Sequence, residues 1–292
     1  KAIAPPVELQ LPQILAFVDG RRRLDGRAIG KDGDRILYGA FATVAAGIIE
    51  VDCRLQRAYF PTAATIERVV AFGGNCQPEP VTLPGPPGNA HPLEYSRVLR
   101  GKGKQRNDPM VPLTLVQERM RDIESDLAAA RSREPDTLVI QDGNLFRDFD
   151  SNGDQSGAIV GYMKTMQRKY LPPDEARLLW DLNPGERTPI FSVGRGSFQY
   201  WSWYLRSGRE GQGSLHGIVR LEIFQDKASI ERAQQIANWS CHVVPKYASE
   251  PLRDPRAPQN LMPINALESW LGRQMGNPAI VQRCVKQFLN NS

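Results

Sequence analysis

The chain has 292 residues, of which 41% are hydrophobic, 24% charged and 8% aromatic, the make-up of a soluble globular protein able to bury a full core. No apolar run approaches the roughly eighteen residues of a membrane-spanning helix, and the opening KAIAPPVELQ lacks the apolar centre of a signal peptide. The net charge of +5 admits a polyanionic partner, while four scattered cysteines without a CxxC pair and three scattered histidines argue against a disulfide framework or a zinc site. These features predict reduced thiols, a cytoplasmic location and, if a metal is bound, carboxylate ligands suited to Mn²⁺ or Mg²⁺.

Residues 14–18 (ILAFV) form a short apolar run ending at Asp19-Gly20, which predicts a buried strand delivering Asp19 at its carboxyl end. Arg21, Arg22, Arg23, Arg27, Lys31 and Arg35 follow it. Gly20, Gly26, Gly30 and Gly33 punctuate this stretch as hairpin turns do, and residues 35–51 predict one or two further strands of the same sheet. Six prolines, at 78, 80, 84, 86, 87 and 92, predict an exposed loop over 77–92. Arg97, Arg100, Lys102, Lys104 and Arg106 extend it into a Pro-rich, basic connection near 77–107. Each basic cluster suits a solvated loop as well as a nucleic-acid contact.

Over 112–133 the pattern becomes helical, with Leu113, Val116, Met120 and Leu127 on one face. Glu124 shares that face and Glu118 points away from it. A carboxylate within an apolar stripe either reaches water at the helix edge or needs a partner such as a metal ion. Residues 137–140 (TLVI) then run into Gln141-Asp142-Gly143, repeating the first apolar-run–Asp–Gly arrangement. A strand over 159–163 delivers Lys164. Two more strands are predicted over 198–205 and 217–224, the second carrying Arg220 as a phosphate contact or an outward-facing residue. Helices are predicted over 227–238 and 261–275, the latter with Leu261, Ile264, Leu267, Leu271 and Met275 on its apolar face. Residues 148–156 have the early spacing of a calcium-binding loop, but Ile159 stands where the bidentate glutamate belongs, so a polar turn is expected. The order of elements predicts a mixed α/β domain.

Two-metal phosphodiester cleavage needs carboxylates converging on a pair of ions about 4 Å apart. Asp19, Asp142 and Glu124 could supply them if the two strands are neighbours, with Lys164 contacting the scissile phosphate or orienting the nucleophile. Asp-Gly alone is also an ordinary turn signal, so the shared context with Glu124 carries the expectation.

These segments resemble the NurA nuclease family. The pieces are ILAFVDG at 14–20, RMRDIESDLA at 119–128, LVIQDGNLF at 138–146, IVGYMK at 159–164, VRLEIF at 219–224 and PQNLMPINALESWL at 258–271. They occur in the family's order and span nearly the whole chain. The resemblance implies a single nuclease domain over 1–292 with an RNase H-like core: a mixed central sheet flanked by helices. It also implies Mn²⁺- or Mg²⁺-dependent cleavage of DNA, by endonuclease action on single strands and 5′–3′ exonuclease action. A homodimer working with a hexameric HerA-type translocase would process DNA ends for recombinational repair. Asp19, Glu124 and Asp142 fall on the family's carboxylates, and Lys164 on a basic position after the next strand. Arg21 replaces the small hydroxyl residue usual after the first Asp-Gly. Asn265 falls where the late helix often supplies a metal-binding histidine or aspartate, leaving Asn265 or Glu268 as the fourth ligand. DNA contacts are expected from Arg21, Arg22, Arg23, Arg97, Arg100, Lys102, Lys104 and Arg220. A non-catalytic DNA-binding or motor-adaptor protein, or an RNase H-like enzyme acting on RNA, would share much of this pattern.

Overall fold

Apolar runs and helical stripes resolve, in a computed structural model, into a large mixed sheet flanked by helices. The structure describes residues 1–74, 76, 78–85, 92–98, 108–146, 158–165, 170–208, 215–250 and 257–291, apart from the Asp32 side chain. In chain order the strands and helices are β1 (Ile14–Asp32), β2 (Arg35–Asp52), β3 (Arg57–Tyr59), β4 (Thr65–Phe72), β5 (Val81–Leu83), β6 (Leu93–Arg97), α1 (Val111–Ser132), β7 (Thr137–Asp142) and β8 (Ala158–Met163). There follow α2 (Pro173–Ala176), α3 (Leu178–Asp181), β9 (Phe191–Arg195), β10 (Phe198–Arg206), β11 (Ile218–Phe224), α4 (Ile230–Tyr247), α5 (Met262–Gln274) and α6 (Pro278–Asn291).

The described chain divides into two compact units, and β1, β2, α1 and α5 each run through both. The first unit comprises Lys1–Asp19, Ile48–Pro61 and Ser125–Leu267. In it the strands follow the order β1-β7-β8-β11-β10-β9. β1, β7 and β8 are parallel, in the register Val18↔Gln141 and Asp142↔Tyr162, whereas β8, β11, β10 and β9 are antiparallel. Strands buried on both faces read as continuous apolar runs, which is how ILAFV, TLVI and IVGYM appear. Ala16, Val18, Val139, Ile159, Tyr200 and Phe224 meet in this unit's core.

The second unit comprises Gly20–Gly47, Thr62–Glu124 and Glu268–Ser292. Its strand order is β5-β6-β4-β2-β1, with β2 and β4 antiparallel from Gly39↔Phe72 to Ala46↔Thr65. Its core joins Ala28, Phe41, Val70, Leu83, Leu93 and Tyr95 to Val281, Cys284 and Val285 of α6.

Several expectations change. β1 does not end at Asp19 but continues to Asp32, so Arg21, Arg22, Arg23, Arg27 and Lys31 stand on a strand rather than in a hairpin loop. Of Gly20, Gly26, Gly30 and Gly33, only Gly33 occupies a turn, with φ +60°. Gly26 lies within the strand, where a Cβ would come 2.6 Å from a Val285 methyl, so the glycine admits α6 rather than bending the chain. The Pro-rich stretch is not all loop: Val81–Leu83 pairs with β6, and Leu83 is fully buried. The helix expected over 227–238 begins later and runs longer, because Ser229 caps α4 by accepting from the Arg232 amide at 3.2 Å. The 261–275 helix agrees closely, with Leu261, Ile264, Leu267, Leu271 and Met275 all buried. β4, β9 and α6 carried no sequence expectation.

Candidate metal centre

The parallel register sets the first two carboxylates. Val18 on β1 is level with Gln141 on β7, so the next residues, Asp19 and Asp142, are level and point to the same face. Asp19 is 5% exposed and Asp142 half-buried. A third carboxylate, Glu268 of α5, joins them: each of the three offers an oxygen, and these oxygens lie within 4.8 Å of one another. Glu268 directly follows Leu267, and sits four residues after Ile264 and three before Leu271, along the flank of the buried face.

Lys164 follows β8 directly and donates from Nζ to Asp142 Oδ2 at 3.0 Å, with both side chains mostly shielded. Like unit charges about 5 Å apart repel by roughly 3 kcal/mol at an effective dielectric near 20. Three carboxylates and one ammonium sum to a formal −2, the charge that one divalent cation cancels. The donors are all hard oxygens, which fits Mg²⁺, Mn²⁺ or Ca²⁺ better than a thiophilic metal. Tyr162, level with Asp142 on β8, is fully buried and donates to the Gln259 carbonyl at 2.7 Å. Burial, and then the Asp142 charge, push its phenol well above the usual tyrosine range.

Glu124 is 3% exposed, within α1, on the helical face its spacing indicated. Val116 and Met120 share that burial, as do Leu115, Ile123 and Ala128. Its carboxylate lies against Gly20: a Cβ there would fall 2.3 Å from Glu124 Oε1 and 2.8 Å from Met120 Cγ. Glu124 is not one of the three grouped carboxylates. Asn265 has its amide engaged elsewhere, donating from Nδ2 to Ser249 Oγ at 2.9 Å and accepting on Oδ1 from Asn260 Nδ2. Of the two late-helix residues, Glu268 is the one beside Asp19 and Asp142. Glu268 carries the same sequence signal as Glu124, since it recurs with Ile264, Leu271 and Met275 at spacings of four, three and seven.

The expected DNA-contacting cations divide into three groups. Arg21, Arg22 and Arg97 are exposed, and Arg21 lies along α5, donating to the Glu268 carbonyl at 3.0 Å. Arg23 and Arg220 are tied inward. Arg23 bonds to Asp25 at 2.9 Å and to the Met275 and Gly276 carbonyls at 3.2 and 2.8 Å. Arg220 is buried on β11, bonded to Ser202, Glu222 and Asn144 and stacked 4.5 Å from the Tyr170 ring centre. Arg100, Lys102, Lys104 and the calcium-loop-like stretch 148–156 lie outside the described residues.

No protein-family model matches the chain, and no curated protein matches it. No helix among the described residues is long and apolar enough to cross a membrane.

Proposed function

We propose that the protein is a metal-dependent deoxyribonuclease, with Asp19, Asp142 and Glu268 holding a Mn²⁺ or Mg²⁺ ion. The observation that carries the reading is the cluster of three carboxylate oxygens within 4.8 Å of one another, two of them on adjacent parallel strands. Two oxygens bound to one such ion at about 2.1 Å lie no more than about 4.2 Å apart, a spacing close to that of the cluster. The ion supplies Lewis acidity toward a phosphate oxygen and a bound water of lowered pKa. Asp142 is oriented for that role by the Lys164 ammonium, which also offers a positive charge to an incoming phosphate. Arg21, Arg22 and Arg97 add exposed cations for a polyanionic strand. Glu124, buried beside Gly20, is the candidate ligand for a second ion.

The parallel β1-β7-β8 group with antiparallel neighbours is compatible with an RNase H-like core. The NurA-like order of motifs extends the proposal to a cytoplasmic homodimer that processes DNA ends with a HerA-type translocase. Single-stranded DNA, duplex DNA and RNA–DNA hybrid are incubated with the protein and Mn²⁺, with and without EDTA. DNA cleavage that EDTA abolishes is expected, and Asp19→Ala and Asp142→Ala should each fall to the EDTA background while remaining folded. No cleavage of any substrate, alone or with the translocase, would leave a non-catalytic DNA-binding or adaptor role. Cleavage confined to the hybrid would move the substrate to RNA.

A further inference from the structure

Arg220, expected to contact phosphate, belongs instead to a buried network that grips the three residues after Asp142. The Gly143 amide donates to the Tyr162 carbonyl at 2.8 Å. Asn144 Oδ1 accepts from Arg220 Nη2 at 3.1 Å and from Arg195 Nη1 at 3.3 Å. The Leu145 amide donates to Glu222 Oε1 at 2.9 Å, and its carbonyl accepts from Tyr200 Oη at 3.1 Å and from Arg195 Nη2. Glu222, 0% exposed, is the hub: Oε1 also accepts from Arg195 at 2.7 Å, and Oε2 accepts from Arg195 at 3.1 Å and Arg220 at 2.8 Å. Burial would lower the Arg195 pKa, but its bonds and charge attraction to Glu222 more than reverse this.

A carboxylate in mid-strand with two guanidiniums is an expensive way to fill a core, where apolar residues of similar volume often do as well or better. What an apolar residue could not do is hold the Leu145 amide. The packing around this grip is close. A Cβ on Gly161 would lie 3.0 Å from the Gly143 carbonyl oxygen, 3.0 Å from Leu145 Cγ and 3.2 Å from Glu222 Cγ. The same segment begins at Asp142, whose carboxylate is also bonded by Lys164.

We propose that Glu222, Arg195 and Arg220 form a positioning set that fixes residues 143–145 and thereby aims the Asp142 carboxylate at the ion; the inference rests on the metal site proposed above. Partners of this kind behind a ligand typically change metal affinity about 10–100-fold. Asn144 is exposed and loses only its tether on mutation, so it tests the network without emptying the core. Mn²⁺ binding by calorimetry, amide exchange at 143–146 and thermal melting are compared for the wild-type protein, Asn144→Ala, Asn144→Asp and Glu222→Gln. Asn144→Ala should bind Mn²⁺ about tenfold more weakly. It should also exchange faster at 143–146, with a fall in melting temperature of no more than about a few degrees. Asn144→Asp, which keeps the acceptor, should restore both properties. Glu222→Gln should show the larger loss of affinity and, should it fail to fold, the Asn144 pair decides. Wild-type affinity and wild-type exchange in Asn144→Ala would overturn the proposal. If the wild-type protein takes up no Mn²⁺, the metal reading fails separately, and exchange at 143–146 alone decides whether the tether exists.

Discussion

The chain carries two Asp-Gly pairs after similar apolar runs, at 19–20 and 142–143, and the fold uses them in opposite ways. Gly20 lies within a strand that continues for another turn-free dozen residues to Asp32, and its missing Cβ leaves the space that Glu124 and Met120 occupy. Gly143 directly follows β7 with φ +88°, and a Cβ there would meet nothing within 4 Å. One glycine is needed for room and the other for backbone conformation. An identical dipeptide therefore says where an aspartate is delivered without saying what the chain does next.

This contrast can be broken by substitution. Gly20→Ala forces the buried Glu124 carboxylate to move and should cost about 3 kcal/mol, at the upper end of overpacking effects. In a Glu124→Ala background the cost should shrink, and urea denaturation of the four proteins in that cycle measures the coupling. Equal costs in both backgrounds would show that Glu124 is not what Gly20 accommodates. Gly143→Ala should cost about 1–2 kcal/mol through left-handed backbone strain alone. Its Mn²⁺ titration then reports whether the end of β7 tolerates a shift, and a fully stable alanine variant would contradict the need for a positive φ at Gly143.

The smallest effect belongs to Tyr162 beside the second pair. Its phenol is raised in the folded protein, so its contribution to stability is fully present below the ordinary tyrosine pKa and is lost as pH rises beyond it. Tyr162→Phe removes the bond to the Gln259 carbonyl and should cost about 1 kcal/mol at pH 7. The variant should lose stability less steeply than the wild-type protein above about pH 10, measured by denaturation at pH 7 and pH 10.5. Parallel loss in the two proteins would remove Tyr162 from the alkaline transition.

The elements that sequence reading located best are those whose apolar pattern has a clear period and whose ends fall at chemical boundaries. ILAFV, TLVI and IVGYM are central strands, and the Leu261–Met275 stripe is buried along its length. Glu124 was legible as a buried carboxylate because helical phase is a local property. Its absence from the acidic trio was not, because whether α1 or α5 brings a carboxylate next to Asp19 depends on tertiary placement. Arg220 looked available for phosphate because alternation alone does not distinguish a strand facing solvent from one paired on both sides and buried. Gly26 resembled a turn residue because glycine is chosen for two unrelated reasons, positive φ and close approach, and only packing tells them apart. β5 was hidden among prolines, which are tolerated in short or edge strands.

The unbroken pairing of β1 with β7 has a consequence for how the gene can change length. Side chains alternate across a strand, so a codon inserted or deleted within 14–18 that preserves the pairing before it turns Asp19 to the opposite face. The same event at the 33–34 turn only lengthens or shortens a hairpin. Among functional variants, length differences should therefore collect at that turn and avoid the five residues ahead of Asp19. The aspartate is specified by its parity along the strand as much as by its chemistry.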